Sequence, residues 1–186
     1  MTVVLIGGPR GIGKSSIIDL LIDEHGSYER PKAYTTRLPR PKENPTQFIH
    51  VSQAALDLLH SDGKLLTLDE VHGARYALAK GSIESIEEQG KIAIKEFYIR
   101  DHPSIKAIYP NSVSVVIMPT SEQAYMEHIQ RRFGANSLDN RLNKCELSIH
   151  QEAIDQNTTD TIIYNDFIKP IREIAKIINH TIKNKY

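Results

Sequence analysis

Eight residues, Gly8-Pro9-Arg10-Gly11-Ile12-Gly13-Lys14-Ser15, satisfy the spacing G-x-x-x-x-G-K-[ST], and that set is suited to holding a chain of phosphates. Glycines let backbone N–H groups turn inward around phosphate oxygens, and a helix starting near Lys14 would add its positive end. Lys14 would place a point charge on the β and γ phosphates of ATP, and the Ser15 hydroxyl could ligate Mg²⁺, with Ser16 behind it. A second phosphate-directed feature is the pair Arg37 and Arg40, three residues apart around Pro39. Two guanidinium groups at that spacing can meet one phosphate, although two arginines in a polar loop are more often plain surface charge.

Elements able to position these groups are visible on either side of the glycine loop. Val3-Val4-Leu5-Ile6 is a continuous apolar run, as in a central parallel strand covered on both faces, and Ile17, Ile18, Leu20, Leu21 and Ile22 form a helical face after Lys14. Further strands are predicted at Val113 to Met118 and Thr161 to Tyr164, with a wetter one over Lys91 to Tyr98. Helical patterns run from Ser121 to about Arg132, Asp139 to about Asp155, and about Asp166 to Lys183. The alternation predicts an α/β doubly wound, mainly parallel sheet. The stretch 37–80 interrupts it with Pro39, Pro41 and Pro45, a Ser52-capped helix and β-like segments near Leu65 to Val71 and Arg75 to Ala79.

At 186 residues the chain fits one domain: a core over 1–36 and 81–186, an α+β insertion over about 37–80, and a short lid over about 131–141. Lys plus Arg and Asp plus Glu number 23 each, so no global field favours nucleic acid or an anionic membrane surface. No apolar run reaches the roughly 20 residues of a membrane span, and the chain reads as soluble and cytoplasmic, a monomer or homodimer. The single cysteine, Cys145, has no internal disulfide partner, and the eight histidines follow no zinc-ligand spacing.

Beyond the loop, Thr35-Thr36-Arg37-Leu38-Pro39-Arg40, Glu43 and Val51-Ser52 resemble the T-T-R-x-P-R…G-E…Y-x-F-V-S segment of guanylate kinases. Glu70-Val71-His72-Gly73 with Tyr76 resembles E-V-H-G-x-x-Y-G-T, Arg141-Leu142 resembles the lid-helix arginine, and Tyr164-Asn165-Asp166 resembles V-N-D. The resemblance covers nearly the whole chain and implies a P-loop NTPase fold. It implies that Gly8 to Ser16 cradle ATP, that Arg131, Arg132 and Arg141 close over its phosphates, and that Asn165 lies near the adenine. On the acceptor side it implies that Arg37 and Arg40 hold a phosphate, with Glu43, Phe48, Thr67, Glu70, Tyr76, Glu96 and Tyr98 lining the pocket. Tyr34 and Lys42 are possible additions, and His72 reads as structural.

The chain departs from that pattern where guanine is read. Thr67 replaces the carboxylate after the G-x-F-L run, Tyr98 stands where a strand aspartate is expected, Phe48 replaces a tyrosine, and Ala77-Leu78 replaces Gly-Thr. A carboxylate accepts from guanine N1–H and the N2 amine together, so its loss removes discrimination unless Asp69, Glu70 or Glu96 takes over.

Three readings stay open. The first is an ATP- and Mg²⁺-dependent phosphotransferase that converts a nucleoside monophosphate, GMP or a relative, to the diphosphate, with Lys14, Arg37, Arg131 and Arg141 as its catalytic charges. The second is a kinase of the same fold acting on a phosphorylated sugar or other non-guanine acceptor. The third is a non-catalytic guanylate kinase-like binding module.

Overall fold

The computed structural model describes residues 3–41, 43–71, 73–134, 140–156 and 158–185. In chain order the elements are β1 (Val3–Gly7), α1 (Lys14–Glu24), β2 (Tyr28–Glu29), β3 (Ala33–Thr35), β4 (Ile49–His50), α2 (Gln53–Ser61), β5 (Leu65–Val71), β6 (Ala74–Ala79) and α3 (Ser82–Glu88). They continue with β7 (Ile92–Glu96), a 3₁₀ turn (Ile99–Asp101), α4 (His102–Ile108), β8 (Val113–Pro119), α5 (Glu122–Phe133), α6 (Asn140–Asp155), β9 (Thr161–Asn165) and α7 (Ile171–Lys183).

The chain forms two compact units, Met1–Tyr28 with Ile94–Tyr186, and Glu29–Ala93. A five-stranded sheet in the order β2-β7-β1-β8-β9 carries the first. β8 is parallel to both of its neighbours, with Val4 opposite Val113 and Val116 opposite Ile162. Every residue of β1 and of β8 is buried, so both faces of these strands are covered, in keeping with the continuous apolar run of β1 and the apolar run Val115 to Met118 of β8. α1 packs on β1 and on α7, while α5 and α6 pack on each other and on β8.

The helices start where the sequence supplies a reason. Ser121 accepts the Ala124 N–H at 3.1 Å and caps α5, and Ser52 accepts from Ala55 at 3.2 Å to cap α2. α7 begins later than its apolar pattern suggests. The Asp166 carboxylate accepts the N–H groups of Ile168 and Lys169, each at 3.0 Å, Phe167 takes a φ of 59°, and Pro170 precedes the first helical residue. That turn occupies the stretch from Asp166, where the spacing predicts helix, because the aspartate side chain competes for the N–H groups.

The second unit carries a four-stranded sheet in the order β4-β3-β6-β5, parallel only between β3 and β4. Leu56, Leu65 and Ala77 form its small core, with Tyr34, Val51, Leu59 and Leu68 packed against them. Among the described residues, no helix is long and apolar enough to cross a membrane.

Candidate functional site

In the first unit the loop between β1 and α1 is fixed by bonds to its own carbonyls. Lys14 Nζ donates to Gly8 O at 2.7 Å and Pro9 O at 3.1 Å, and Tyr125 Oη donates to Arg10 O at 2.8 Å. His128 Nε2 donates to Gly11 O at 3.2 Å, Arg132 Nη1 reaches the same oxygen at 3.3 Å, and Asn165 Nδ2 donates to Ile12 O at 3.1 Å. With these carbonyls engaged, the loop has N–H groups to offer an anion. One already holds an anionic oxygen: Arg10 N–H donates to the Glu146 carboxylate of α6 at 2.5 Å.

Glycine is required here by geometry. Gly8 and Gly13 have φ of 140° and 109°, and a Cβ on them would run into the Ile117 carbonyl oxygen and the Ile171 side chain respectively. Ser15 and Ser16 lie in the first turn of α1 directly behind Lys14.

Three of the donors that grip the loop, Tyr125, His128 and Arg132, come from one stripe of α5. Tyr125, His128, Ile129, Arg132 and Phe133 follow helical spacing, and Arg10 and Arg132 each lie over the Phe133 ring, at 4.9 and 5.3 Å. His128 stacks on Phe167 at 4.2 Å between ring centres. Burial, reinforced by the charges of Arg132 and Arg131 and opposed by the Gly11 carbonyl, lowers the His128 pKa and favours a neutral ring. Burial, and to a lesser degree Glu146, raises the Tyr125 pKa, so its hydroxyl stays a donor. Arg131 instead turns back on its own helix, with Nε 3.4 Å from Glu127 O. The Arg141 side chain and the lid residues 135–139 lie outside what is described.

In the second unit the Thr35-Thr36 pair fixes the Arg37 loop. Thr35 Oγ1 donates to Arg75 O at 2.9 Å and accepts Arg37 N–H at 3.2 Å, while Thr36 Oγ1 accepts Arg75 N–H at 2.9 Å. Arg37 then forms a two-pronged ion pair with Glu43, with side chains only 12% and 8% exposed. Glu43 also accepts from Arg40 N–H at 3.3 Å and faces His50 Nε2 at 3.1 Å. The Arg37 guanidinium lies 5.3 Å from the Phe48 ring centre, and Phe48 meets Tyr76 edge-on at 5.6 Å.

Burial alone would lower the Arg37 pKa, but the hydrogen bond and charge of Glu43, with Tyr76 adding to them, hold it above its ordinary value. For Glu43 burial likewise works against ionisation. The Arg37 and Arg40 bonds and the nearby positive charges outweigh it and keep the carboxyl below the usual range.

The base-directed positions fall in both units. Thr67 sits at a bulge in β5, and its hydroxyl accepts Leu78 N–H at 3.3 Å. Glu70 is exposed and pairs with Arg75, whereas Asp69 pairs with Tyr76 and shares the Thr67 face of the strand. Glu96 and Tyr98 belong to the first unit, at the end of β7 and just beyond it, both half-buried. Lys42 and His72 lie outside the described residues.

The guanylate kinase family model matches residues 1–182. This chain belongs to the guanylate kinase family. It is 27% identical to guanylate kinase 1 of Arabidopsis thaliana over 167 residues, covering 88% of this chain and 43% of that protein. It is 26% identical to a guanylate kinase of Nitrosomonas europaea over 177 residues, covering 94% and 87%. The match spans less than two thirds of the length of several relatives. The crystal structure of a guanylate kinase from Anaplasma phagocytophilum superimposes with a TM-score of 0.70 at 20% identity, covering 99% of this chain and 85% of that one. At that identity the likeness bears on the fold, and it supports the P-loop NTPase architecture of this guanylate kinase family member.

Sequence reasoning passed over Tyr125, His128, Phe133, Glu146 and His50. The α5 residues carried a usable signal, since they share the stripe of Arg132. Glu146 and His50 carried none, because each meets its partner only through the tertiary fold.

Proposed function

We propose that this chain transfers the terminal phosphate of ATP to a nucleoside monophosphate, with GMP as the first candidate acceptor. The observation that carries the reading is the loop that binds its own carbonyls outward and already receives an anionic oxygen on Arg10 N–H. A triphosphate fits that role better than any other common ligand, and the family supplies the matching chemistry. Mg²⁺ bound with the triphosphate would neutralise charge. Among the described residues no group of three or more His, Cys, Asp or Glu could hold a metal ion, so the ion would rest on phosphate oxygens and the Ser15 hydroxyl.

Lys14 would leave its two loop carbonyls for the β and γ phosphates, and Arg132, already at the loop, would add charge there. Arg131 and Arg141 are proposed to contribute from the lid helices, and Asn165 to border the base. Arg37 and Arg40 would hold the acceptor phosphate, and Tyr76 and Phe48 would wall the pocket. No general base is demanded, because an acceptor phosphate is already an anion. The protein's work is positioning, exclusion of water and neutralisation.

One observation favours a second reading, a phosphorylated acceptor without guanine. Thr67, at the position of the guanine-reading acid, has a hydroxyl that accepts Leu78 N–H and offers no carboxylate to a guanine N1–H and N2 amine together. A panel of nucleoside monophosphates and sugar phosphates, assayed for ADP release with ATP and Mg²⁺, separates the two. Stimulation by GMP or another nucleotide supports the first. Stimulation by sugar phosphates alone supports the second, and no stimulation by any acceptor overturns both.

A further inference from the structure

We propose that His50 is a positioning residue of the acceptor-phosphate clamp: as an imidazolium it fastens Glu43 to Arg37 and keeps the clamp cationic. The inference rests on the reading of Arg37 and Arg40 as holders of that phosphate. It adds a residue that the resemblance does not supply, since the Y-x-F-V-S segment has phenylalanine where this chain has His50.

Backbone register delivers the ring. β4 runs parallel to β3 with His50 opposite Thr35, and Val51 N–H donates to Thr35 O at 2.9 Å. His50 Nδ1 then lies 2.8 Å from Arg37 O, and Nε2 lies 3.1 Å from Glu43 Oε2. A carbonyl oxygen can only accept. So can Glu43 while it is ionised, and its partners hold it so. A neutral imidazole has a single N–H, and either tautomer would aim a ring lone pair at one of these acceptors. Only the imidazolium donates to both.

The groups facing the ring are Glu43 and Arg37, with Arg40 N–H on the same carboxylate and Tyr76 on Arg37 from β6. When His50 is protonated it cancels the charge of Glu43, and Arg37 presents a full positive charge to an incoming phosphate. When His50 is neutral, Glu43 cancels Arg37 and competes with the phosphate for the same guanidinium. Acceptor-phosphate affinity should therefore be higher with a protonated His50 than with a neutral one.

The probe is sulfate, which carries no base and does not itself change charge between about pH 5 and 8, the window in which histidine titrates. The full chain, labelled with ¹⁵N at histidine, is followed by NMR while sulfate is titrated in at about pH 6 and about pH 8. We expect both His50 ring nitrogens to show imidazolium shifts at the lower pH, and sulfate affinity to fall about tenfold at the higher one. His50→Gln and His50→Phe should abolish that fall. A neutral His50 ring at the lower pH overturns the proposal in the wild-type chain alone, and so does an unchanged pH dependence in a folded His50→Gln variant. Because the sulfate response is read at the His50 ring, it reports on the clamp and neither on a base nor on the glycine loop, so failure of every nucleotide acceptor with that response intact would sink the nucleotide reading and leave the role of His50 standing.

Discussion

Arg10 and Glu146 stand 136 residues apart in sequence, yet the Arg10 backbone N–H donates to the Glu146 carboxylate at 2.5 Å. The glycine loop is therefore in contact with a negative charge from α6 at an N–H that is proposed to receive a phosphate oxygen. Two anions cannot share one N–H, so triphosphate binding must displace this side chain or work against it. A charge-assisted bond of this kind contributes about 1.5–3 kcal/mol. Glu146→Gln weakens the competitor without changing its size, and it should tighten binding of a nonhydrolysable ATP analogue by about tenfold in calorimetry. Weaker binding in the variant would mean that Glu146 assists the nucleotide.

Lys14 offers a cleaner separation of stability from turnover. Lys14→Ala removes two bonds to carbonyls of its own loop, contacts local in sequence, and the melting temperature is expected to stay within a few degrees of wild type. The Lys14 charge is proposed to serve phosphates in the transition state, and loss of one such donor costs a factor of about 10²–10³ or more in kcat. Steady-state kinetics with ATP and the best acceptor test this. A kcat within a factor of about three of wild type would contradict the assignment.

The parts of the molecule that were readable in sequence are those set by local rules. β1 and most of β8 show as apolar runs because they are covered on both faces, and Ser52 and Ser121 announce their helices because a cap needs only residues three positions away. The glycine loop is equally local. β3 and β4 were not readable, since two- and three-residue strands have no period, and Thr35 is fixed by Arg75, 40 residues on. At the site the same division holds. Arg37 and Glu43 could be named from the motif, but their mutual pairing and the approach of His50 depend on how a loop without periodicity turns back on itself, and that of Glu146 on where a segment 136 residues away comes to rest.

Asp160 should govern acid stability. Burial opposes its ionisation, but the Ser114 N–H and hydroxyl together with Lys106 and Lys185 prevail and bring its pKa down to about 2. A carboxylate with a depressed pKa contributes stability above its unfolded value, near 4, and loses that contribution as pH falls toward 2. The contribution at neutral pH is about 2 kcal/mol. Asp160→Asn should therefore lower stability by about that amount at pH 7 in urea unfolding, and should have a shallower decline between about pH 4 and 2. Parallel acid limbs for the variant and wild type would exclude this role.

Arg37 has a structural partner in Glu43 and a proposed role toward the acceptor, and a double variant can divide them. Its ion pair with Glu43 is largely buried, so Arg37→Ala leaves a carboxylate without its main partner, at a cost of about 3 kcal/mol in stability. Adding Glu43→Gln removes the stranded charge and should restore most of that loss. It cannot restore a positive charge for the acceptor. Arg37→Ala and the double variant should thus share an acceptor KM raised at least about tenfold, with a far smaller change in the KM for ATP, while differing by about 2 kcal/mol in urea unfolding. If the acceptor KM returns to the wild-type value together with stability, Arg37 acts only as a strut, and the phosphate must be held by other groups.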